Sequence, residues 1–81
     1  MNNSKVLINN IENLHTTELG IKRIRKNLEL PDINVVNFCK NIILGNNCKI
    51  WKQGKNWYCK TYNIIITINS YSYTIITAHK T

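Results

Sequence analysis

The chain has 81 residues, enough for one domain with one compact core and too few for two. It carries 11 Lys and Arg against 4 Asp and Glu, a net charge of +7, and all of the acids (Glu12, Glu18, Glu29, Asp32) lie in the first 32 residues. Lys40, Lys49, Lys52, Lys55, Lys60 and Lys80 are therefore unopposed in the remainder, which points to RNA or another polyanion, or alternatively an acidic protein surface, as partner.

In chain order, Leu7, Ile8, Ile11 and Leu14 recur at helical spacing after Ser4, a fitting N-cap. A second helix is expected from "HTTELG", with Thr16 or Thr17 as cap, Glu18 in the first turn, and Ile21, Ile24 and Leu28 as its apolar stripe. Lys22, Arg23 and Lys26 fall on its other face and Arg25 on the border. "LPDIN" announces a third helix: Pro31 sits at the joint, Asp32 caps, Val35, Val36, Cys39, Ile42 and Ile43 form the buried face, and Gly45 supplies the stop.

From Cys48 onward the pattern changes to short runs rich in Ile, Thr, Tyr and Trp, broken by "KQGKN", "TYN" and "NSYS". Four antiparallel strands are expected near 47–52, 57–62, 64–69 and 72–79. The fold class is α+β: a single domain over 1–81, with two or three N-terminal helices in 4–45 packed on one face of a four-stranded antiparallel sheet in 47–79.

The other face of the sheet is then open. A type II′ turn with Gly54 first and Lys55 second pairs Lys52 with Trp57, Trp51 with Tyr58, Ile50 with Cys59 and Lys49 with Lys60. Alternation sends Ile50, Trp57 and Cys59 to one side and Lys49, Trp51, Tyr58, Lys60 and Tyr62 to the other. Two lysines directly opposed repel, which a bound phosphate would reverse, and the neighbouring rings offer stacking surfaces for bases. The competing reading is an ordinary cross-strand aromatic pair under snorkelling lysines.

Ile64, Ile66 and Ile68 share one face of the third strand, leaving Ile65, Thr67 and Asn69 on the other. The last strand has two possible phases. The favoured one turns Thr74, Ile76 and Ala78 inward and leaves Tyr73, Thr77 and His79 on the open face; the other buries Tyr73, Ile75 and Thr77.

His15 and His79 are the only imidazoles, and such a pair flanking a phosphate serves as general base and acid without a metal. Arg25, Lys60 and Lys80 are the candidate cations, with Thr77 and Tyr73 to orient a phosphate oxygen. If the protein is an enzyme, the expected chemistry is that of a metal-independent ribonuclease with His15, His79, Arg25 and Thr77 as catalytic residues. Lys49, Trp51, Tyr58, Lys60, Tyr73 and Lys80 are then the candidate nucleic-acid contacts.

Other classes fit less well. The glycines are isolated and the four acids scattered, so no cofactor, nucleotide loop or two-metal site is expected. Cys39, Cys48 and Cys59 are odd in number and lack metal-ligand spacing, and "MNNSKVLINN" is too polar for a secretory leader. The expectation is a cytoplasmic protein with reduced thiols, without a membrane span, as monomer or homodimer.

"LHTTELGIKRIRKNLEL" and "KQGKNWYCKTYNIIITINSYSYTIITAHK" resemble an uncharacterised family of short bacterial proteins. That domain of unknown function is built on a TT-LG--RI--NL helix, a GKNWY hairpin and a TIN-SYTIITAHK ending. The resemblance covers nearly the whole chain and implies no activity. More loosely, helices followed by a four-stranded sheet are similar in layout to the barnase, EndoU, colicin and RelE group of ribonucleases, an analogy that implies metal-independent RNA cleavage. A non-catalytic inhibitor or adaptor, of phage or host-defence type, is the alternative function.

Overall fold

The computed structural model describes residues 4–81. Helix α1 (Ser4–Asn9) is followed by a 3-10 turn (Ile11–Asn13), α2 (Glu18–Leu28) and α3 (Val35–Leu44). Strands β1 (Lys49–Gln53), β2 (Asn56–Lys60), β3 (Ile64–Asn69) and β4 (Ile75–Lys80) then form an antiparallel meander in the order β1-β2-β3-β4. The fold is α+β, as the sequence leads one to expect.

The first helix is shorter than its apolar spacing suggests, because Asn10 sends both its backbone N–H (3.2 Å) and its side-chain amide (2.8 Å) to the carbonyl of Val6. A side chain that competes for a backbone acceptor ends a helix. Leu7 and Leu14 still reach the core, whereas Ile8 is exposed. Ser4, expected as the cap, lies within the helix itself.

Helix α2 starts on Thr17, whose hydroxyl accepts from the Gly20 N–H at 3.0 Å. It buries Ile24 and Leu28, and closes with Glu29 left-handed at φ 55° while the Leu30 N–H reaches the Arg25 carbonyl at 2.9 Å. The cap of α3 is Asn34 and not Asp32. A tight turn in which the Ile33 N–H donates to the Pro31 carbonyl uses up Asp32, and the Asn34 side chain accepts from the Asn37 N–H at 2.9 Å. Gly45 follows α3 as expected.

The first hairpin has the anticipated register in full, from Lys49 opposite Lys60 to Gln53 opposite Asn56. Gly54 has φ +62° while Lys55 does not have a positive φ, as a type II′ turn requires. Trp57, Cys59, Ile66, Ile68, Ile75 and Ala78 form the inner face of the sheet and pack against Leu7, Leu14, Ile24, Leu28, Val35, Cys39 and Ile43 from the helical layer.

The outer edge of β4 is covered. The His15 N–H donates to the Tyr73 carbonyl at 3.2 Å and the Ile75 N–H to the His15 carbonyl at 2.7 Å, a short parallel bridge across nearly the whole chain length. The Thr16 hydroxyl adds a bond to the Ile75 carbonyl at 2.9 Å, and the Asn27 amide one to the Ala78 carbonyl at 3.4 Å. Gly20 is required where α2 crosses this clasp, since a Cβ there would lie 2.1 Å from the Thr16 hydroxyl. Among the described residues, no strand lies beyond β1, the opposite edge.

Candidate nucleic-acid interface

Two transverse rows of side chains cross the open face. In one, Lys49 pairs with Lys60, Lys60 with Ile65 and Ile65 with His79; in the other, Trp51 pairs with Tyr58, Tyr58 with Thr67 and Thr67 with Thr77. Each row spans three strand spacings, about 14 Å in all. The cationic row contains no acid, and the aromatic row beside it begins with Trp51 stacked on Tyr58, ring centroids 5.7 Å apart and planes 23° from parallel. Lys49, Trp51 and Lys60 line a hollow of about 450 Å³ where the rows begin. Lys49, Trp51, Tyr58, Lys60, Thr77 and His79 thus share one surface.

The last strand adopts neither phase throughout. A bulge lies opposite the Thr67–Ile68 step, so Ile68 pairs with Ile75 and Thr67 with Thr77, leaving Ile76 as the extra, exposed residue. Downstream of it Ala78 is inside and Thr77 and His79 outside, as favoured; upstream the alternation reverses and Ile75 is buried.

Tyr73 is therefore not on the open face. It stands left-handed at φ 61° and its ring packs on buried Trp57, centroids 5.2 Å apart, on the helix side. Lys80 leaves the open face for a related reason: it shares Ala78's parity and meets the rim of the helical layer, where its ammonium pairs with Glu29. That ammonium, by hydrogen bond and charge, holds the Glu29 carboxyl below its ordinary value.

His15 and Arg25 also lie elsewhere. Thr74, which bridges His15, and His79 are five residues apart along β4, roughly 16 Å for an extended chain, and only His79 is on the open face. The pair expected to bracket one phosphate is split between the two ends of the strand. Arg25 serves the α2–α3 joint, donating to the Ile33 carbonyl at 2.9 Å and approaching Asp32 at 3.6 Å.

His15 instead anchors a polar chain that the sequence reading missed. Its Nδ1–H donates to the Asn13 carbonyl at 2.8 Å, because a carbonyl can only accept, and Nε2 lies 3.1 Å from the Thr74 hydroxyl. Thr74 in turn lies 2.7 Å from the Ser72 hydroxyl, and Asn69 Oδ1 accepts from the Tyr71 and Ser72 N–H groups at 2.9 Å each. A hydroxyl, an imidazole and an orienting carbonyl in line resemble an activated nucleophile. Yet the backbone N–H groups of Tyr71 to Ile75 are all consumed within this network, leaving none to stabilise a developing oxyanion. The arrangement fastens the 13–17 segment to the β3–β4 turn. "NSYS" reads as a turn, but nothing in it names a histidine partner far away in sequence.

A second hollow of about 300 Å³ opens at the end of the sheet between the last turns of α3 and the β2–β3 turn. Phe38, Ile42, Cys48 and Tyr62 are among its walls. Tyr62, expected on the open face, lies beyond β2 in that turn and is exposed. Burial pushes the Cys39 thiol up to about 12, and Cys48, by its contact with Cys59, raises the Cys59 thiol while its own is lowered. Among the described residues, no three His, Cys, Asp or Glu side chains gather as a metal site requires. No helix among them is long and apolar enough to cross a membrane.

Residues 8–79 match the model of the family described as protein of unknown function (DUF3781). The chain belongs to that family. The DUF3781 span contains both rows of the open face, the His15 clasp and the hollow at the end of the sheet. The membership expected from the TT-LG--RI--NL, GKNWY and TIN-SYTIITAHK motifs is thereby met. No curated protein and no solved structure matches the chain.

Proposed function

We propose that the open sheet face binds single-stranded RNA, phosphates along the Lys49–Lys60–His79 row and bases on the Trp51–Tyr58 row. The observation that carries this reading is the adjacency of an acid-free cationic row and a stacked aromatic pair on a face that none of the described helices covers. Aromatic platforms on sheets are used in this way to stack unpaired bases, while lysines supply the salt-dependent contact with phosphate. The opposed Lys49 and Lys60 repel each other in the free protein, and a phosphate between them removes that cost.

The reading is one of binding and not of cleavage. An acid–base pair would need both imidazoles at one phosphate, and the two histidines lie at opposite ends of β4.

Fluorescence anisotropy with a labelled single-stranded RNA tests the proposal. Trp51→Ala should weaken binding by about 1–3 kcal/mol, or roughly 5- to 150-fold. The Lys49→Gln, Lys60→Gln double variant should lower the slope of log affinity against log salt by about 1.4, as two released counterions predict for a single strand. Unchanged affinity in both variants, or an affinity insensitive to salt, rejects the proposal. Capture of one stoichiometric acidic protein from nuclease-treated lysate, with no RNA affinity, would favour the inhibitor or adaptor reading instead.

A further inference from the structure

We infer that the hollow at the end of the sheet takes one unstacked nucleobase of the bound strand and so gives the RNA interaction a base preference. The inference rests on the RNA-binding reading and adds to it a second, chemically different subsite.

The composition of the hollow is the starting point. In a chain of net charge +7, its walls contain no charged residue at all: Phe38, Ile42, Ile64, Tyr62 and Cys48 provide the apolar part, and Asn41, Asn46, Asn47, Asn63 and Thr61 the polar part. A phosphate has no counter-charge there and would remain on the lysines. A flat, neutral heterocycle with hydrogen-bonding edges fits both halves: the rings of Phe38 and Tyr62 suit its faces and the carboxamides its edge.

The carboxamides are available for that use. Asn63 Oδ1 accepts from the Thr61 hydroxyl at 3.3 Å, which leaves its amide N–H groups uncommitted. Asn41, Asn46 and Asn47 make no side-chain hydrogen bond among the described residues. A carboxamide offers a donor beside an acceptor, the complement of an exocyclic amino group beside a ring nitrogen, which adenine presents on both its Watson–Crick and its Hoogsteen edge and cytosine on one edge only. Adenine is accordingly the base assigned to the hollow.

Position links the hollow to the open face. Cys48 lines the hollow and Lys49 begins the cationic row; Thr61 lines the hollow and Lys60 is the partner of Lys49. The cationic row and the hollow thus adjoin at consecutive residues on both chain segments, and the nucleotide next to a phosphate held by the two lysines is the one assigned to the hollow.

The experiment compares four labelled single-stranded oligomers: oligo-U, and oligo-U with one central A, C or G. Binding of oligo-U reports on the open face alone. Wild-type protein should bind the A-containing oligomer about 5- to 150-fold more tightly than oligo-U, the range that a single recognised base contributes. The Asn47→Ala, Asn63→Ala double variant, altered only at exposed positions, should lose that preference and keep the oligo-U affinity. Cys48 gives an independent readout, since the A-containing oligomer should slow its alkylation and oligo-U should not. Free adenosine separates the sources of the base: protection of Cys48 by adenosine at concentrations that leave oligo-U bound would mark the hollow as a nucleoside site in its own right. Equal affinity for all four oligomers with oligo-U binding intact overturns the inference and leaves the RNA reading standing. Failure to bind any of them overturns both.

Discussion

The two faces of the sheet are made from alternate residues of the same strands, and they differ in almost every physical respect. Trp57, Cys59, Ile66 and Ile68 face the helices and are buried, whereas Tyr58, Lys60, Ile65 and Thr67, their neighbours in the chain, face outward. The inner face gains its stability by excluding water. The outer face retains two opposed lysines and an uncovered aromatic stack, which contribute little to folding and a great deal to any contact with a polyanion. A pleated strand thus separates the core from the face proposed for binding at a spacing of one residue.

Substitution of adjacent residues is the most direct way to break that contrast. Ile66→Ala, at a site with no solvent exposure, should cost about 2–5 kcal/mol in chemical denaturation. Thr67→Ala on the other face should stay within about 0.5 kcal/mol. Equal losses would mean that the open face is as structural as the core. Next in size, Gly20→Ala should destabilise by about 1–3 kcal/mol, because the added methyl meets the Thr16 hydroxyl that holds the edge of β4. In the anisotropy assay of the proposed RNA interaction it should match the wild type, since the open face is untouched.

The thiols sharpen the contrast between the core and the rim of the sheet. With its thiol near 12, Cys39 is about one part in ten thousand thiolate at pH 8, and Cys59 is likewise held protonated by Cys48 and by burial. Half-buried Cys48, with its thiol lowered, should be the first to be alkylated by iodoacetamide in the folded protein, as peptide mass mapping would show. Equal labelling of all three would contradict this order.

The smallest effect concerns the Glu29–Lys80 pair at the rim. The Glu29 carboxyl lies below its ordinary value of 4.5 in the folded protein, so its contribution is complete above that pH and is lost as pH falls through the folded value. Glu29→Gln should flatten the acid limb of the stability curve below pH 4.5 and leave neutral pH almost unchanged, and added salt should reduce the difference.

Much of this was legible in the residues. Gly54 sets the turn, and the turn sets the register, so the residues alone place Lys49, Trp51, Tyr58 and Lys60 together. The bulge at Ile76 was not legible: both phases of "TIIT" bury one isoleucine, and the choice depends on Tyr73 packing against Trp57 from the helix side. The assignment of Tyr73 to the open face failed for that reason. That of Lys80 failed because Glu29 waits at the rim, and no local pattern joins residues so distant in sequence. His15 is the clearest case, since "HTT" also reads as helix entry and its partner Thr74 is supplied by the tertiary fold alone.

The clasp on β4 bears on how copies of this chain can meet. Hydrogen-bonded strand addition requires a free border, and among the described residues no strand pairs with the outer edge of β1. Two molecules joined there form a ribbon of twice the width, with both outer borders already occupied by the His15 segment and Asn27. The same contacts that seat the N-terminal segment therefore take up backbone groups of β4 that strand addition would need.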